Sequence, residues 1–315
     1  MQLKSFFMKM TDGNELWINR WVPDSDTEIK GVIQLHHGLA EHSLRYDRLG
    51  SILAEHGYVL NAHDMRGHGQ TGANAKKNNK GRMGRLAEKK GFDRAVEDLD
   101  EMIENLKKEF PGKKVILLGH SFGSFVSQGY IEKYGKRIDG VILSGTAGPQ
   151  KALVGFGNIF AHILCCFFGP NSVLKLLYKL SFGGYNKRIE HPISDFSWLS
   201  KNQTNISMYE SDDWCGIPLT TSFYVDMTGG LKKIHRNSNM KKIPRELPLL
   251  CIYGEEDPVG GYGKTVNKLM DIYKKNGLKD IQVKSYKDDR HEILNEDDKE
   301  TVENDILNWL DSKIK

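Results

Sequence analysis

Short apolar runs alternate with amphipathic stretches along most of this chain. Runs of strand length lie at 31–38, 58–67, 113–121, 138–146, 248–257 and 281–288. Between and after them, helical spacing marks 43–57, 92–110, 122–134, 264–277 and 301–314. This alternation predicts a mostly parallel sheet covered by helices on both faces. In the first helix, Leu44, Leu49, Ile52 and Leu53 lie at helical spacing.

The N-terminal residues have a different pattern, typical of a β-hairpin. Residues 3–10 and 15–23 flank Thr11-Asp-Gly-Asn, and Asp-Gly is a strong tight-turn signal. We therefore expect about eight strands in total.

The alternation stops between residues 148 and 242. This stretch begins with an apolar, aromatic-rich segment and continues as a polar part rich in loop-forming residues. It is interpreted as a mainly helical cap inserted after the sixth strand, on top of the sheet. The chain then divides into a first core part (1–147), the cap (148–242) and a second core part (243–315).

The cap contains an apolar stripe with i, i+3, i+4 spacing, which predicts a short amphipathic helix. Packing against the core explains such a stripe, and so does a tunnel for an acyl chain or contact with a lipid surface. Four members of the stripe are candidate substrate contacts. The stripe consists of Phe156, Ile159, Phe160, Ile163, Leu164, Phe167 and Phe168, and the candidates are Phe156, Ile159, Phe160 and Ile163.

Composition narrows the class of protein. The 315 residues are 39% hydrophobic and 27% charged, and the net charge of +4 is spread along the chain, so a nucleic-acid partner is not expected. The four cysteines are too few for a disulfide framework. No signal peptide is evident, and no run reaches the roughly 18 apolar residues of a membrane span. We expect a cytoplasmic protein.

A nucleophile is predicted at Gly119-His120-Ser121-Phe122-Gly123. The G-x-S-x-G pattern alone is weak evidence, but here it follows an apolar strand and precedes a helix, as a nucleophile elbow requires. The flanking glycines allow a sharp turn and close approach of neighbouring chain segments. A helix-capping serine in a glycine-rich turn is the alternative.

A base and an acid follow in the order Ser…Asp…His. Asp257 comes just after the strand at 249–254, and His291 just after the next strand. Because the carboxyl ends of parallel strands share one edge, Ser121, Asp257 and His291 are expected to converge there as a catalytic triad. Glu255 or Glu256 could replace Asp257 as the acid.

The oxyanion that forms when a serine attacks a carbonyl group needs hydrogen-bond donors, and two are expected here. One is the backbone N–H of Phe122 in the elbow. The second is assigned to Leu39, in the loop after the first parallel strand, where Gly38 allows close approach.

The sequence does not support a metal site or a dinucleotide site. A metal site would use histidines, but their spacings form no recognised ligand set and no carboxylate or cysteine complements them, so no metal site is predicted. These histidines are His36, His37, His42, His63 and His68.

A dinucleotide motif is matched by Gly67-His-Gly-Gln-Thr-Gly72. The residues that follow it are too polar for the apolar helix that a dinucleotide site needs.

With these residues assembled, the sequence resembles the monoacylglycerol lipase and lysophospholipase branch of the α/β-hydrolase superfamily. The resemblance covers nearly the whole chain, through the segments 36–49, 62–72, 119–123, 197–216, 254–259 and 289–296. Phe122 departs from it, since methionine or leucine is more usual there. The resemblance implies hydrolysis of a single-chain lipid ester without a metal or organic cofactor. Monoacylglycerol is expected to be the foremost substrate, and the cap would contact membrane surfaces transiently.

Three rival functions remain open. A lysophospholipase or general carboxylesterase keeps the site and changes the substrate. An aminopeptidase of the superfamily would need acidic side chains in the cap to bind a free amine, and Glu210, Asp212 and Asp213 are candidates. A catalytically silent binding module would normally lack a triad member. The sequence does not indicate an oligomeric state.

Overall fold

Alternate residues of the central strands point to opposite faces of one sheet. In the computed structural model, which describes residues 1–314, Val115 and Leu117 lie in one apolar core, while Ile116 and Leu118 lie in another. This is the two-residue period expected of a strand buried on both faces.

Residues 1–314 form eight strands and eleven helices, besides short 3₁₀ turns. The strands are β1 (Gln2–Lys9), β2 (Glu15–Val22), β3 (Gly31–His36), β4 (Tyr58–His63), β5 (Lys114–His120), β6 (Gly140–Ser144), β7 (Leu249–Gly254) and β8 (Ile281–Tyr286). The helices before β6 are α1 (Asp47–Glu55), α2 (Gly69–Lys77), α3 (Gly91–Glu109) and α4 (Phe122–Tyr134). Those after it are α5 (Lys151–Phe168), α6 (Lys175–Phe182), α7 (Gln203–Ser211), α8 (Thr221–Ile234), α9 (Asn237–Met240), α10 (Lys264–Lys275) and α11 (Lys299–Lys313).

The strands form one sheet in the order β1-β2-β4-β3-β5-β6-β7-β8. β2 pairs antiparallel with both β1 and β4, and the strands from β4 to β8 in this order are parallel. Apolar residues of α3, α4 and α10 cover one face, and those of α1 and α11 cover the other. The predicted α/β-hydrolase fold is confirmed, including the hairpin and the helices inserted between β6 and β7.

The helix predicted at 43–57 begins differently. Ser43–Tyr46 is a 3₁₀ turn, and α1 starts only at Asp47. Both the backbone N–H and the hydroxyl of Ser43 donate to Asp64 Oδ1, at 2.9 and 2.6 Å, which fixes the start of the turn. Leu44 consequently lies outside α1 and points to solvent, whereas Leu49 and Leu53 of α1 are buried.

Helix α2 lies in a polar stretch for which the sequence predicts no apolar helix. Asp64 Oδ2 accepts the N–H of Gln70 at 2.8 Å, and the hydroxyl of Thr71 donates to the Asp64 carbonyl at 2.7 Å. These bonds hold the first turn of the helix against the end of β4. Polar capping replaces the missing apolar face.

Helix α5, the first of the helices between β6 and β7, buries only Asn158 and Ala161. Helix α5 is longer than the short helix expected, and Asn158 Nδ2 in its middle donates to Thr228 Oγ1 of α8 at 3.0 Å. Its 18 residues have a mean hydropathy of 1.6, enough by length and composition to cross a membrane. The boundaries at 148 and 242 remain our proposed division.

Candidate active site

Ser121 stands at a strained turn between β5 and α4. Its backbone has φ 52° and ψ −119°, a left-handed conformation that non-glycine residues rarely adopt. A Cβ on Gly123 would lie 2.1 Å from the carbonyl oxygen of His36, and one on Gly119 would lie 2.3 Å from Ser127 Oγ. Only glycine fits at these two positions, which is the close approach that the motif predicted.

His291 and Asp257 form a buried pair. Nδ1 of His291 donates to Asp257 Oδ2 at 2.9 Å, and both side chains are almost fully buried. The other oxygen of Asp257 accepts the N–H of Val259 at 2.8 Å. Glu255 and Glu256 are exposed, so of the three candidate acids it is Asp257 that meets the histidine.

The pair determines the tautomer and the basicity of His291. Because Nδ1–H is donated to the carboxylate, Nε2 carries the lone pair, and Nε2 has no hydrogen-bond partner within residues 1–314. Burial alone lowers the pKa of His291, but the charge and hydrogen bond of Asp257 outweigh it, and the pKa is raised. Ser121 and His291 line the same cavity.

Two aromatic rings that sequence reasoning missed flank this imidazole. The ring centroid of His120 lies 4.8 Å from that of His291, and that of Trp198 lies 5.1 Å away. Burial, followed by the nearby imidazole of His291, lowers the pKa of His120 to about 4, so this ring is neutral. The two rings confine the base to one orientation. His120 is part of the elbow motif, whereas no local signal marks Trp198.

The candidate oxyanion donors lie on either side of Ser121. Phe122 is the first residue of α4, where the helix dipole favours negative charge, and Leu39 lines the cavity from the loop after β3. Within the described chain, neither backbone N–H donates to a protein acceptor. A Cβ on Gly38 would lie 3.1 Å from Ser121 Cβ, so this loop passes directly beside the serine.

A buried histidine cluster supports the same loop. Nδ1 of His37 donates to the carbonyl of Gly38 at 2.7 Å, and its Nε2 accepts the N–H of Met65 at 2.9 Å. Burial lowers the pKa of His36 and of His68 to about 4, which keeps both rings neutral. These histidines, together with His63, therefore support the loop as uncharged packing groups.

A buried ionic cluster joins three segments around the site. Arg45 donates to Glu41 Oε2 at 2.7 Å and to both oxygens of Glu292 at 2.6 and 2.8 Å. Glu41 also accepts the N–H of Gly38, at 2.5 Å. Asn205 of α7 donates to Glu292 at 2.7 Å. The cluster thus links the Leu39 loop, the residue after His291 and the cap.

The cavity above Ser121 has a volume of about 640 Å³. One end holds Ser121, His291 and the polar groups of Glu41 and Glu292, and the remainder is mainly apolar. The apolar part includes Leu153, Val154, Ala161, Leu177, Leu180, Phe182, Ile217, Leu219, Met227 and Leu231. This shape suits a molecule with one polar end and one long apolar chain.

All four predicted substrate contacts border this cavity, on α5. Phe160 is half-buried and packs against the core cluster. Phe156, Ile159 and Ile163 are exposed, with Phe156 75% accessible, so they border the cavity from the outer side of the helix. Helical periodicity in the sequence predicts the helix and its apolar stripe. It does not show which members of the stripe are buried beside the cavity and which are exposed to solvent.

The fold and the site together define an α/β-hydrolase, and comparison with known proteins gives the same assignment. Residues 27–298 match the family described as serine aminopeptidase, S33. The monoacylglycerol lipase of Mycolicibacterium smegmatis is 25% identical over 301 residues, covering 93% of this chain and 92% of that protein. The human monoglyceride lipase is 28% identical over 276 residues, covering 83% and 79%.

Solved structures show the same fold. A thermostable carboxyl esterase from Bacillus coagulans in complex with glycerol superposes with a TM-score of 0.90, at 24% identity and with full coverage of both chains.

The chain belongs to the serine aminopeptidase S33 family, in the monoacylglycerol lipase branch of the α/β-hydrolase superfamily. It is a carboxylic ester hydrolase.

Proposed function

We propose that this enzyme hydrolyses carboxylic esters of single-chain lipids, with monoacylglycerol as the foremost substrate and glycerol and a fatty acid as products. The observation that carries the proposal is that Nε2 of His291 has no hydrogen-bond partner among the described residues, while His291 and Ser121 border the same mainly apolar cavity of about 640 Å³. An acyl chain fits the apolar part, and a small polar alcohol fits the end near Glu41 and Glu292. The names of several relatives support this substrate class.

The proposed reaction has two halves. In the first, Ser121 Oγ attacks the ester carbonyl carbon while His291 Nε2 takes its proton, and Asp257 stabilises the imidazolium. The N–H groups of Leu39 and Phe122 hold the oxyanion. When the tetrahedral intermediate collapses, the bond to the glycerol oxygen breaks, and His291 returns the proton to that oxygen.

In the second half, water attacks the acyl-enzyme. His291 Nε2 removes a proton from the water, the same two N–H groups hold the new oxyanion, and the bond to Ser121 Oγ breaks. His291 then protonates Ser121, and the fatty acid leaves. Ser121, His291, Leu39 and Phe122 all border one cavity, and Asp257 is buried against His291 Nδ1.

Charge distribution in the cavity disfavours the aminopeptidase alternative. Glu210 and Asp213 are exposed and do not border the cavity, and Asp212 is bonded to His42. The acids that do border it, Glu41 and Glu292, are already paired with Arg45. A substrate ammonium group would find no unpaired carboxylate there among the described residues.

We also propose that the enzyme works in the cytoplasm and touches membrane surfaces through α5. The outer face of this helix exposes Phe156, Ile159, Ile163, Phe167 and Phe168. An apolar helical face of this kind inserts into the headgroup boundary of a bilayer. The four cysteines are all free thiols, in keeping with a reducing compartment.

Initial rates on four substrates test the proposed function. They are monooleoylglycerol, lysophosphatidylcholine, a short-chain nitrophenyl ester and an amino-acyl nitroanilide, with Ser121→Ala as the blank. We expect monooleoylglycerol to give the highest kcat/KM. A preference for lysophosphatidylcholine or for the short ester would move the substrate assignment to the first alternative, and turnover of the anilide would overturn the ester assignment.

A further inference from the structure

Three residues of metal-ligating type meet where the cap touches the core. His42 belongs to the loop after β3, whereas Asp212 and Cys215 follow α7. One potential ligand atom from each lies within 4.8 Å of the other two. His42 Nε2 lies 2.7 Å from Asp212 Oδ2, although 170 positions separate the two residues in the chain. None of the three carries a role in the proposed ester hydrolysis.

The backbone holds these side chains in place. Asp212 Oδ1 accepts the N–H of Trp214 at 2.8 Å, and the Asp212 carbonyl accepts the N–H of Cys215 at 2.9 Å. Gly216 donates to the carbonyl of Ala40 at 2.8 Å, which ties the cap loop to the loop that carries His42. All three side chains are largely buried but keep some solvent exposure. An ion can therefore reach a largely preformed set of donors.

Neighbouring charges favour a cation. Arg45 contributes one positive charge, and Glu41, Glu292 and Asp212 contribute three negative ones.

The donor set indicates which cation. Imidazole nitrogen, carboxylate oxygen and thiol sulfur are all ligands of Zn²⁺, whereas Ca²⁺ and Mg²⁺ take oxygen ligands almost exclusively. Three protein ligands leave the fourth tetrahedral position for water.

We propose that His42, Asp212 and Cys215 bind Zn²⁺ or a similar thiophilic divalent cation and that the ion ties the cap to the loop at 38–42. Coordination replaces the hydrogen bond between His42 Nε2 and Asp212 with one metal bond to each residue. The proton on His42 Nε2 leaves, and the imidazole binds in its neutral form with the proton on Nδ1. The third bond forms to the Cys215 sulfur, whose proton passes to solvent. No electron is transferred.

Binding should also slow ester turnover, a consequence that rests on the proposed function. His42 is three residues from Leu39, whose N–H is assigned to the oxyanion. To admit an ion, His42 and Asp212 must move apart from their 2.7 Å contact. Oxyanion donors tolerate displacements of only about 0.5 Å, so a shift of this loop costs rate.

Zn²⁺ titration in competition with a chromogenic chelator, together with Co²⁺ as a spectroscopic probe, tests the site. For the wild type we expect one ion per chain, a thiolate-to-cobalt charge-transfer band and a higher Tm with Zn²⁺. Cys215→Ser and His42→Gln should each weaken Zn²⁺ binding at least about tenfold and remove the rise in Tm. The matched control Cys166→Ser, which removes an exposed thiol of α5, should behave as the wild type.

Equal Zn²⁺ affinity in the wild type, Cys215→Ser and His42→Gln would overturn the site, and so would a cobalt spectrum without the thiolate band. Circular dichroism checks that each variant is folded, and His42→Gln carries the comparison if Cys215→Ser is not. Ester turnover unchanged at saturating Zn²⁺ would overturn the inhibitory consequence but not the site. Absence of ester turnover in the metal-free wild type would instead count against the proposed function.

Discussion

Arg45 donates hydrogen bonds to both carboxylate oxygens of Glu292, the residue that follows His291, at 2.6 and 2.8 Å. The pair is almost fully buried, and Arg45 also bonds Glu41, which receives the N–H of Gly38. One guanidinium thus fixes the loop of the candidate base and the loop of a candidate oxyanion donor. Its charge lowers the pKa of Glu292 well below the usual range, against the opposing effect of burial.

Arg45→Met should therefore destabilise the fold strongly. It leaves two buried carboxylates without their cation, and breaking a buried pair in this way costs about 3–5 kcal/mol. The free energy of unfolding in urea measures this cost. Lys279→Met is the matched control, because Lys279 and Glu246 form an exposed pair worth about 0–1 kcal/mol. Similar losses in both variants would contradict a structural role of the buried cluster.

Asp257→Asn should reduce kcat by roughly 10³–10⁴-fold, because the amide no longer holds the imidazole in its productive tautomer. His291 must be neutral to take a proton, so wild-type activity rises with pH through the raised pKa of His291. Loss of the Asp257 charge should move that rise to lower pH. The pH profile of kcat/KM measures both effects.

Glu256→Gln is the control for this prediction, since it removes an exposed carboxylate one residue away. Its profile should match the wild type. If Glu256→Gln lost as much activity as Asp257→Asn, the assignment of the acid would be wrong.

Glu132→Gln should stabilise the protein at neutral pH. Burial raises the pKa of Glu132 to about 9, against the weaker opposing effect of Lys242 and Lys233. Between about pH 4.5 and 9 the unfolded chain releases this proton and the folded chain keeps it, so the side chain costs stability that grows with pH. At pH 7 this cost is on the order of 3 kcal/mol. The variant should be more stable at pH 8 and nearly equal at pH 4, as measured by urea unfolding; a difference that does not depend on pH would contradict this.

Phe167→Ser combined with Phe168→Ser should weaken binding to lipid vesicles about tenfold or more, because each lost phenyl group gives up part of its 1.5–3 kcal/mol of burial. Both side chains are exposed and neither borders the cavity. Hydrolysis of a soluble short-chain ester should not change. Leu3→Ser is the control, since Leu3 is exposed on β1 at the far edge of the sheet. Equal vesicle binding by both variants would contradict membrane contact through α5.

Most of the fold could be predicted because strand and helix periods are local. The same alternation, with glycines around Ser121 and acids and a histidine after later strands, predicted which residues meet at the sheet edge. The geometry brings Asp257 and His291 within 2.9 Å.

The rest depends on contacts between distant residues. Arg45 and Glu292 are bonded although 247 positions separate them in the chain, and no local sequence pattern near either residue predicts this pair. Helix α2 forms because Asp64 caps it, and Leu44 faces solvent because the same carboxylate holds Ser43. His42, dismissed as a ligand for want of a carboxylate or cysteine, meets Asp212 and Cys215 only through the folding of the cap.

The most direct test of the central claim is kcat for monooleoylglycerol in Ser121→Ala compared with Ser127→Ala. Ser127 is a buried serine of α4, and its hydroxyl donates to the Gly123 carbonyl at 2.8 Å. Our account predicts a loss of roughly 10³–10⁶-fold for Ser121→Ala in a folded protein, and a change within about threefold for Ser127→Ala. Near wild-type turnover by folded Ser121→Ala would show that this serine is not the nucleophile.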